Sequence, residues 1–257
     1  MIFAASFIFG LIIGSFLNVC VSRLPRNISI VRPSSRCPKC LAPIKFYDNI
    51  PVISFLSLKG RCRNCSAPIS LKYPAVELLT ALLTAFFISK WHANPLWLAV
   101  ALAAVYILTV TALIDFETMM IGDVFSFSLA ALALAGSFIN PYFSGTAFDR
   151  LKYFLTGGAF GAAIVWFIAV LGKKIYKKDA VGEGDIFLMA AVGALTGWQG
   201  ALTTLVMASF FGSAYGLTLL ALKKAERLSS IPFGPFLAMG AVINLYSLVK
   251  PEYFLFL

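Results

Sequence analysis

Residues 2–22 read IFAASFIFGLIIGSFLNVCVS, 21 positions without a charged side chain, and Arg23-Leu24-Pro25 follows at once. A hydrocarbon layer about 30 Å thick takes about 20 apolar residues of helix, so this run is long enough to cross it. Only Met1 precedes it, so no basic segment leads in, and Ser22-Arg23-Leu24-Pro25 is a stop rather than a small-residue cleavage site. The run therefore reads as a retained membrane helix and not as a removed signal. Similar apolar runs recur at about 75–91, 95–114, 122–139, 151–171, 186–197, 199–222 and 233–249, broken by Pro, Gly or charged residues. With the first they predict an all-α polytopic membrane protein of about eight transmembrane helices. The 186–197 run is short, and the thin separator from Gly197 to Gly200 leaves a count of seven open. Composition agrees, at 60% hydrophobic, 12% charged and mean hydropathy +0.88. A soluble domain runs near half apolar and a quarter charged, so that class is excluded, as are disorder and, with five cysteines, a disulfide scaffold.

The formal charge of +10 sits in one place. Residues 23–74 carry ten basic side chains against a single acid, Asp48, a balance of +9, while the rest of the chain holds 11 basic and 10 acidic residues. Three parts follow: 1–22 as a first membrane helix, 23–74 as a small separate domain, and 75–257 as a seven-helix membrane domain. Cytoplasmic loops collect Lys and Arg because such segments resist translocation. With the insert inside, the inner loops hold 17 basic residues, including Lys173, Lys174, Lys177, Lys178, Lys223, Lys224 and Arg227, and the outer loops hold four, Lys90, Arg150, Lys152 and Lys250. Both termini are thus expected outside and the insert in the cytoplasm. The basic excess acts as a topology signal, with membrane lipid headgroups as a second target and no nucleic-acid partner expected, since no reading motif accompanies it.

Within the insert, Cys37-Pro38-Lys39-Cys40 and Cys62-Arg63-Asn64-Cys65 form two CxxC knuckles. Two such turns can aim four thiolates at one ion, the usual structural zinc shell, closed to water and so an organiser of the fold rather than a catalyst. Lys39, Arg36, Arg61 and Arg63 favour the thiolates. Cys20, in the first apolar run, reads as core packing.

Carboxylates beside hydrocarbon are costly and mark function. Asp115 continues the apolar run Thr109–Ile114, and Asp185 ends Gly182-Glu183-Gly184-Asp185, where two glycines allow close backbone approach at the mouth of the next helix. On the predicted topology both lie on the cytoplasmic side, with Glu117, Asp123 and Glu183 nearby and Glu77 entering the second helix. Two carboxylates a few ångströms apart share a proton, one acting as base on a water and the other as acid toward an amide, which is aspartic-protease chemistry. The same acids could instead pair with Lys173 to Lys178, cap helices, or couple protons in a transporter. A non-enzymatic membrane scaffold or proton-coupled transporter is accordingly the competing function.

These residues together carry a resemblance. Gly14-Ser15-Phe16-Leu17-Asn18-Val19 with Arg23-Leu24-Pro25, the two knuckles, Asn49-Ile50-Pro51, Tyr73-Pro74-Ala75-Val76-Glu77, Ile114-Asp115, the GxGD of 182–185 and Ile231-Pro232-Phe233-Gly234-Pro235-Phe236-Leu237 occur in order. In this set the chain resembles the type IV prepilin peptidases, bifunctional leader peptidase and N-methyltransferase enzymes of bacterial pilus, type II secretion and competence systems. The resemblance implies an inner-membrane enzyme whose catalytic pair is Asp115 and Asp185, facing the cytoplasm, with Gly182 and Gly184 shaping the catalytic loop. It implies cleavage of type IV prepilins or pseudopilins after the glycine that ends a basic leader, and S-adenosylmethionine-dependent methylation of the new amino terminus. Glu117, Asp123 and Glu183 are candidates to attract the leader's basic residues. The chain departs from the family pattern at Gly122, where proline is common before Asp123, and at Phe187, where lysine is common. It has no Rossmann-type glycine fingerprint, so no residue is assigned to the methyl donor.

Overall fold

The computed structural model describes residues 2–177, 181–224, 226 and 230–254; Lys178 and Arg227 of the basic loops lie outside the described residues. Among these residues there is no β-strand, only two isolated bridges, and the protein is an all-α polytopic membrane protein. Contacts divide the chain into two units, Met1–Ala93 and Asn94–Leu257.

The first unit contains α1 (Ile2–Arg23), the one-turn α2 (Ile53–Ser57) and α3 (Lys72–Trp91). Helices α1 and α3 pair closely because Gly10 and Gly14, four apart and therefore on one face, bear no side chain there. A Cβ on Gly10 would stand 2.6 Å from Ala81 Cα, and one on Gly14 2.7 Å from Glu77 Cα. This is the small-xxx-small packing that lets membrane helices approach. Buried Asn18 adds a hydrogen bond from Nδ2 to the Tyr73 carbonyl at 3.1 Å, tying the start of α3 to α1.

Between those helices the two knuckles repeat one another as Arg36-Cys-x-x-Cys-x-Ala-Pro43 and Arg61-Cys-x-x-Cys-x-Ala-Pro68. Each closes with the same turn: Leu41 N–H donates to the Cys37 carbonyl at 2.9 Å and Ser66 N–H to the Cys62 carbonyl at 2.9 Å. Each also carries a bridge, Arg36 to Pro43 and Arg61 to Pro68. The Arg63 guanidinium grips Asp48 with two short bonds, Nε to Oδ2 at 2.8 Å and Nη2 to Oδ1 at 2.7 Å, so the second knuckle is fastened to the segment between them.

The second unit contains α4 (Pro95–Thr118), α5 (Asp123–Ser137), α6 (Ala147–Tyr176), α7 (Glu183–Ala221) and α8 (Gly234–Tyr246). Helix α6 starts earlier than its apolar run because Thr146 and Asp149 form a capping box, the Asp149 N–H reaching Thr146 Oγ1 at 3.3 Å and the Thr146 N–H reaching Asp149 Oδ2 at 3.0 Å. Helix α7 covers two of the predicted runs. It is broken at Gly197, whose φ of 74° and ψ of 175° belong to a region open essentially to glycine. The chain reverses there: a Cβ on Gly193 would meet the Ala201 Cβ at 3.3 Å, although eight residues of straight helix span about 12 Å. The thin glycine separator is thus a hairpin, and the apolar segments number eight when α7 is divided. By length and composition five described helices can cross a membrane, with α5 and α8 as shorter apolar helices.

One end of this unit is tied by polar side chains to backbone. Asn140 Nδ2 donates to the Leu195 carbonyl at 2.8 Å, and Tyr142 Oη to the carbonyls of Leu245 and Tyr246, both at 3.1 Å. Deeper between α7 and α8, Asn244 is fully buried and every polar atom of its amide is paired, with Gly200, Gly240, Thr204, Thr203 and Val249. A buried amide left unpaired would be costly, so this network fixes the register of α8 against the second half of α7. The opposite end is where the acids gather.

Candidate functional site

Helix α4 ends because Met119 turns left-handed, with φ of 53°, and returns its N–H to the Asp115 carbonyl. Asp115 therefore sits in the last turn of α4, 4% exposed, and its Oδ2 accepts the Gly234 N–H at 3.0 Å from the first residue of α8. Gly234 has to be small there: a Cβ would lie 2.8 Å from Asp115 Oδ2 and 2.9 Å from Ile121 Cδ1. Asp185 is the third residue of α7, 7% exposed, and its Oδ2 reaches back to the Gly182 N–H at 3.2 Å. Its Oδ1 is buried with no hydrogen-bond partner. Ile121, in the connection from α4 to α5, packs on both glycine positions and holds the three helix ends together; a Cβ on Gly184 would stand 2.8 Å from its Cβ.

The two carboxylates lie within electrostatic range of one another. Among the described residues neither forms an ion pair, and Lys178 of the neighbouring loop lies outside the described residues. Helix capping is realised, for one oxygen of Asp185, and leaves the other oxygen free. Two buried carboxylates within electrostatic range of one another are expensive, and such groups concentrate where chemistry is done.

Glu117, Asp123 and Glu183 are exposed and stand at this same end, on the last turn of α4 and the first turns of α5 and α7. Gly184 needs its missing side chain for space. Gly182 does not, since the nearest atom to a Cβ there is Asp185 Oδ2 at 3.5 Å. Phe187, two residues past Asp185, is partly exposed and meets the Phe127 ring at a centroid distance of 5.9 Å. Gly122 is the N-cap of α5. The Gly234 N–H is a partner of Asp115 that sequence reasoning missed; the two are 119 residues apart, and the only signal was the run from Ile231 to Leu237.

In the first unit the sulfurs of Cys37, Cys40, Cys62 and Cys65 all lie within 4.8 Å of one another. The Cys37 and Cys65 sulfurs are 3.8 Å apart, the edge of about 3.8 Å expected for a tetrahedron with metal–sulfur bonds of about 2.3 Å. The four cysteines therefore fit zinc. The N–H of Ala42 and the amide of Asn64 hold the Cys40 thiol down at about 6. Cys65 receives the Ala67 N–H but is desolvated and crowded by the other sulfurs, and stands at about 11. A dication converts such a proton-sharing cluster into four thiolates.

Glu77 serves this unit. It is 8% exposed on α3, and its Oε2 accepts the Val52 N–H at 2.8 Å. Val52 has φ of 61° and ψ of −47°, and Ile53 N–H closes on the Pro51 carbonyl at 2.6 Å. This is the rare γ-turn of positive φ, strained for a β-branched residue, and the carboxylate holds it.

Residues 8–91 match the family described as bacterial peptidase A24 N-terminal domain, and residues 102–217 match the type IV leader peptidase family. Among curated proteins, the chain is 35% identical to the prepilin leader peptidase/N-methyltransferase of Pseudomonas aeruginosa over 92% of this chain and 87% of that protein. It is 34% identical to the protein of the same name from Aeromonas salmonicida, over 95% and 90%. The Myxococcus xanthus counterpart is 37% identical over 83% of this chain and 62% of that protein. No solved structure matches the chain.

Proposed function

Because the chain belongs to the type IV leader peptidase family, we propose that it releases the leader peptide of type IV prepilins or pseudopilins, with Asp115 and Asp185 as its catalytic pair. The observation that supports this assignment most is the unpaired, buried Oδ1 of Asp185 beside a second buried carboxylate. The Gly234 and Gly182 N–H groups occupy one oxygen of each acid and fix its orientation. A water held between the acids loses a proton to one of them as it attacks the scissile carbonyl carbon. The other gives its proton to the departing amide nitrogen, so that the C–N bond breaks into an acid and an amine. Glu117, Asp123 and Glu183, exposed at the same end, supply negative charge toward a basic leader.

The loop charges, 17 basic residues against four, support a reading in which this end of the protein faces the cytoplasmic side of a bacterial inner membrane. Cys37, Cys40, Cys62 and Cys65 would hold a zinc ion that organises residues 23–74 and leaves no position for water.

The relatives' names also carry methylation, and the donor implied is S-adenosylmethionine. A cavity in the first unit, about 440 Å³ between α1 and Asn49-Ile50-Pro51, has Ser15 and Asn49 as its polar side chains. That does not suit a donor with a carboxylate, an ammonium group and ribose hydroxyls, so no step is assigned to it there.

Reconstituted with a type IV prepilin and labelled S-adenosylmethionine, the protein should yield shortened, labelled product. Cleaved but unlabelled product would restrict the function to proteolysis. Failure on every prepilin tried would favour the scaffold or transporter.

A further inference from the structure

Between the two knuckles, Lys45 and Lys59 enclose the stretch FYDNIPVISFLSL, residues 46–58, whose one charged side chain is Asp48. That carboxylate is 9% exposed and gripped by the Arg63 guanidinium, so the stretch offers no free charge of its own. It turns apolar side chains outward instead. Phe46, Ile50, Ile53 and Leu56 are all exposed, Ile53 at 63% and Leu56 at 67%, and the last two stand one turn apart on α2. A run of large apolar groups facing outward, bounded by a lysine at each end, needs an apolar neighbour.

The depth of this stretch can be read from the helices that hold it. Helices α1 and α3 run in opposite directions, with Asn18 beside Tyr73, Gly14 beside Glu77 and Gly10 beside Ala81. Gly14 lies nine residues before Arg23, about 14 Å along the axis, and Glu77 five residues after Lys72, about 8 Å. A hydrocarbon layer takes about 20 helical residues, and α3 has 20 in all, so the level of Glu77 is inside that layer. The stretch reaches this level. Glu77 Oε2 takes the Val52 N–H at 2.8 Å, and Asn49-Ile50-Pro51 face Ile12, Ser15, Phe16 and Val19 of α1 across the cavity of about 440 Å³.

A loop below the membrane surface has to pair its backbone within the protein. The N–H groups of Ser54, Leu56 and Leu58 donate to the carbonyls of Ile50, Val52 and Ser54, and Ser54 Oγ donates to the Tyr47 carbonyl at 3.0 Å. The Val52 N–H, at the strained turn, is given to Glu77. A turn in water could leave that group to solvent, whereas one among acyl chains needs an acceptor from the protein, which gives a buried carboxylate on α3 its purpose. We propose that residues 46–58 form a re-entrant segment immersed about 5–10 Å into the leaflet at the Arg23 end of α1, with Ile50, Ile53 and Leu56 among phospholipid acyl chains. Lys45 and Lys59 reach back to the lipid phosphates.

The test uses the full-length protein in nanodiscs of phosphatidylethanolamine and phosphatidylglycerol, with a fluorescent amino acid in place of Ile53 or of Leu56. Phe9, exposed midway along α1, is the lipid-facing control, and Lys224, exposed beyond the end of α7, is the water-facing one. Phospholipid brominated on its acyl chains should quench the labels at Ile53 and Leu56. Aqueous iodide should lose its quenching at both, as at Phe9, and keep it at Lys224. Iodide quenching as strong as at Lys224 would overturn the proposal, because the segment would then lie in water. Quenching by neither agent would also overturn it, because protein would then cover the segment. Thermal unfolding confirms that each labelled protein is folded, and the two positions are read separately, so a label that unfolds one protein leaves the other to decide.

Discussion

Replacing Gly234 by alanine adds one methyl group at the centre of the candidate site. The new Cβ would stand 2.8 Å from Asp115 Oδ2, 3.2 Å from its Cγ and 2.9 Å from Ile121 Cδ1. Ordinary carbon contacts are longer, so the carboxylate has to retreat by roughly 0.5 Å and turn away from the Gly234 N–H that now orients it at 3.0 Å. Misplacing a reacting group by about 1 Å costs about 100-fold, so half of that with a lost orienting bond predicts a fall in kcat of about 10- to 100-fold. The crowding itself should cost about 1–3 kcal/mol of stability, so activity is compared below the unfolding temperature of each variant. The assay is the initial rate of leader release by reconstituted protein, with thermal unfolding run on the same sample. Gly182→Ala is the control: its Cβ meets nothing closer than 3.5 Å, and at least half of wild-type activity should remain. Full activity of Gly234→Ala, or equal loss in the two variants, would refute the reasoning that the Asp115 oxygen near Gly234 must stay where it is.

Three other outcomes follow from the geometry. Metal analysis should find close to one zinc per chain, lost in Cys37→Ser and in Cys62→Ser, and a zinc-free native protein would contradict the tetrathiolate site. Gly197→Ala has room for the methyl, whose nearest neighbour is Phe143 at 3.5 Å, so its cost is the backbone conformation. The expected loss is about 1–3 kcal/mol, a fall in Tm of several degrees in a chain of this size, and an unchanged Tm would show that the hairpin does not need glycine. Glu77→Ala should leave the Val52 N–H without its partner and let the strained turn relax, so proteases should cut within residues 49–58. Glu77→Gln keeps an acceptor and should protect that segment.

Hydropathy located the apolar segments because it sums over about twenty residues, and burial in lipid is decided by that sum. It could not place their ends, which depend on single polar atoms. Helix α6 starts at Ala147, ahead of its apolar run, because Thr146 and Asp149 cap each other, whereas hydropathy treats Asp149 as a boundary. The separator at Gly197 is a break within α7, and the reversal there is read from the approach of Gly193 to Ala201, which no sequence pattern reports. The CxxC spacing disclosed the four sulfurs, since two tight turns determine most of that geometry. Asp115 and Asp185 were visible as acids out of place, but their mutual approach depends on the Ile121 connection and the end of α8, which no local pattern reports. Gly234 was hidden for the same reason, since it matters through its N–H. Glu77 stood out as an acid beside a span, and its bond to a strained turn 25 residues away could come only from coordinates.

The central claim is that Asp115 and Asp185 are one peptidase pair. Its most direct test measures leader release from a reconstituted prepilin by wild type, Asp115→Asn and Asp185→Asn, each confirmed folded by thermal unfolding and zinc content. Both variants should lose on the order of 10³-fold or more in rate, because members of a catalytic unit fail together. Near wild-type release by either one would contradict the account.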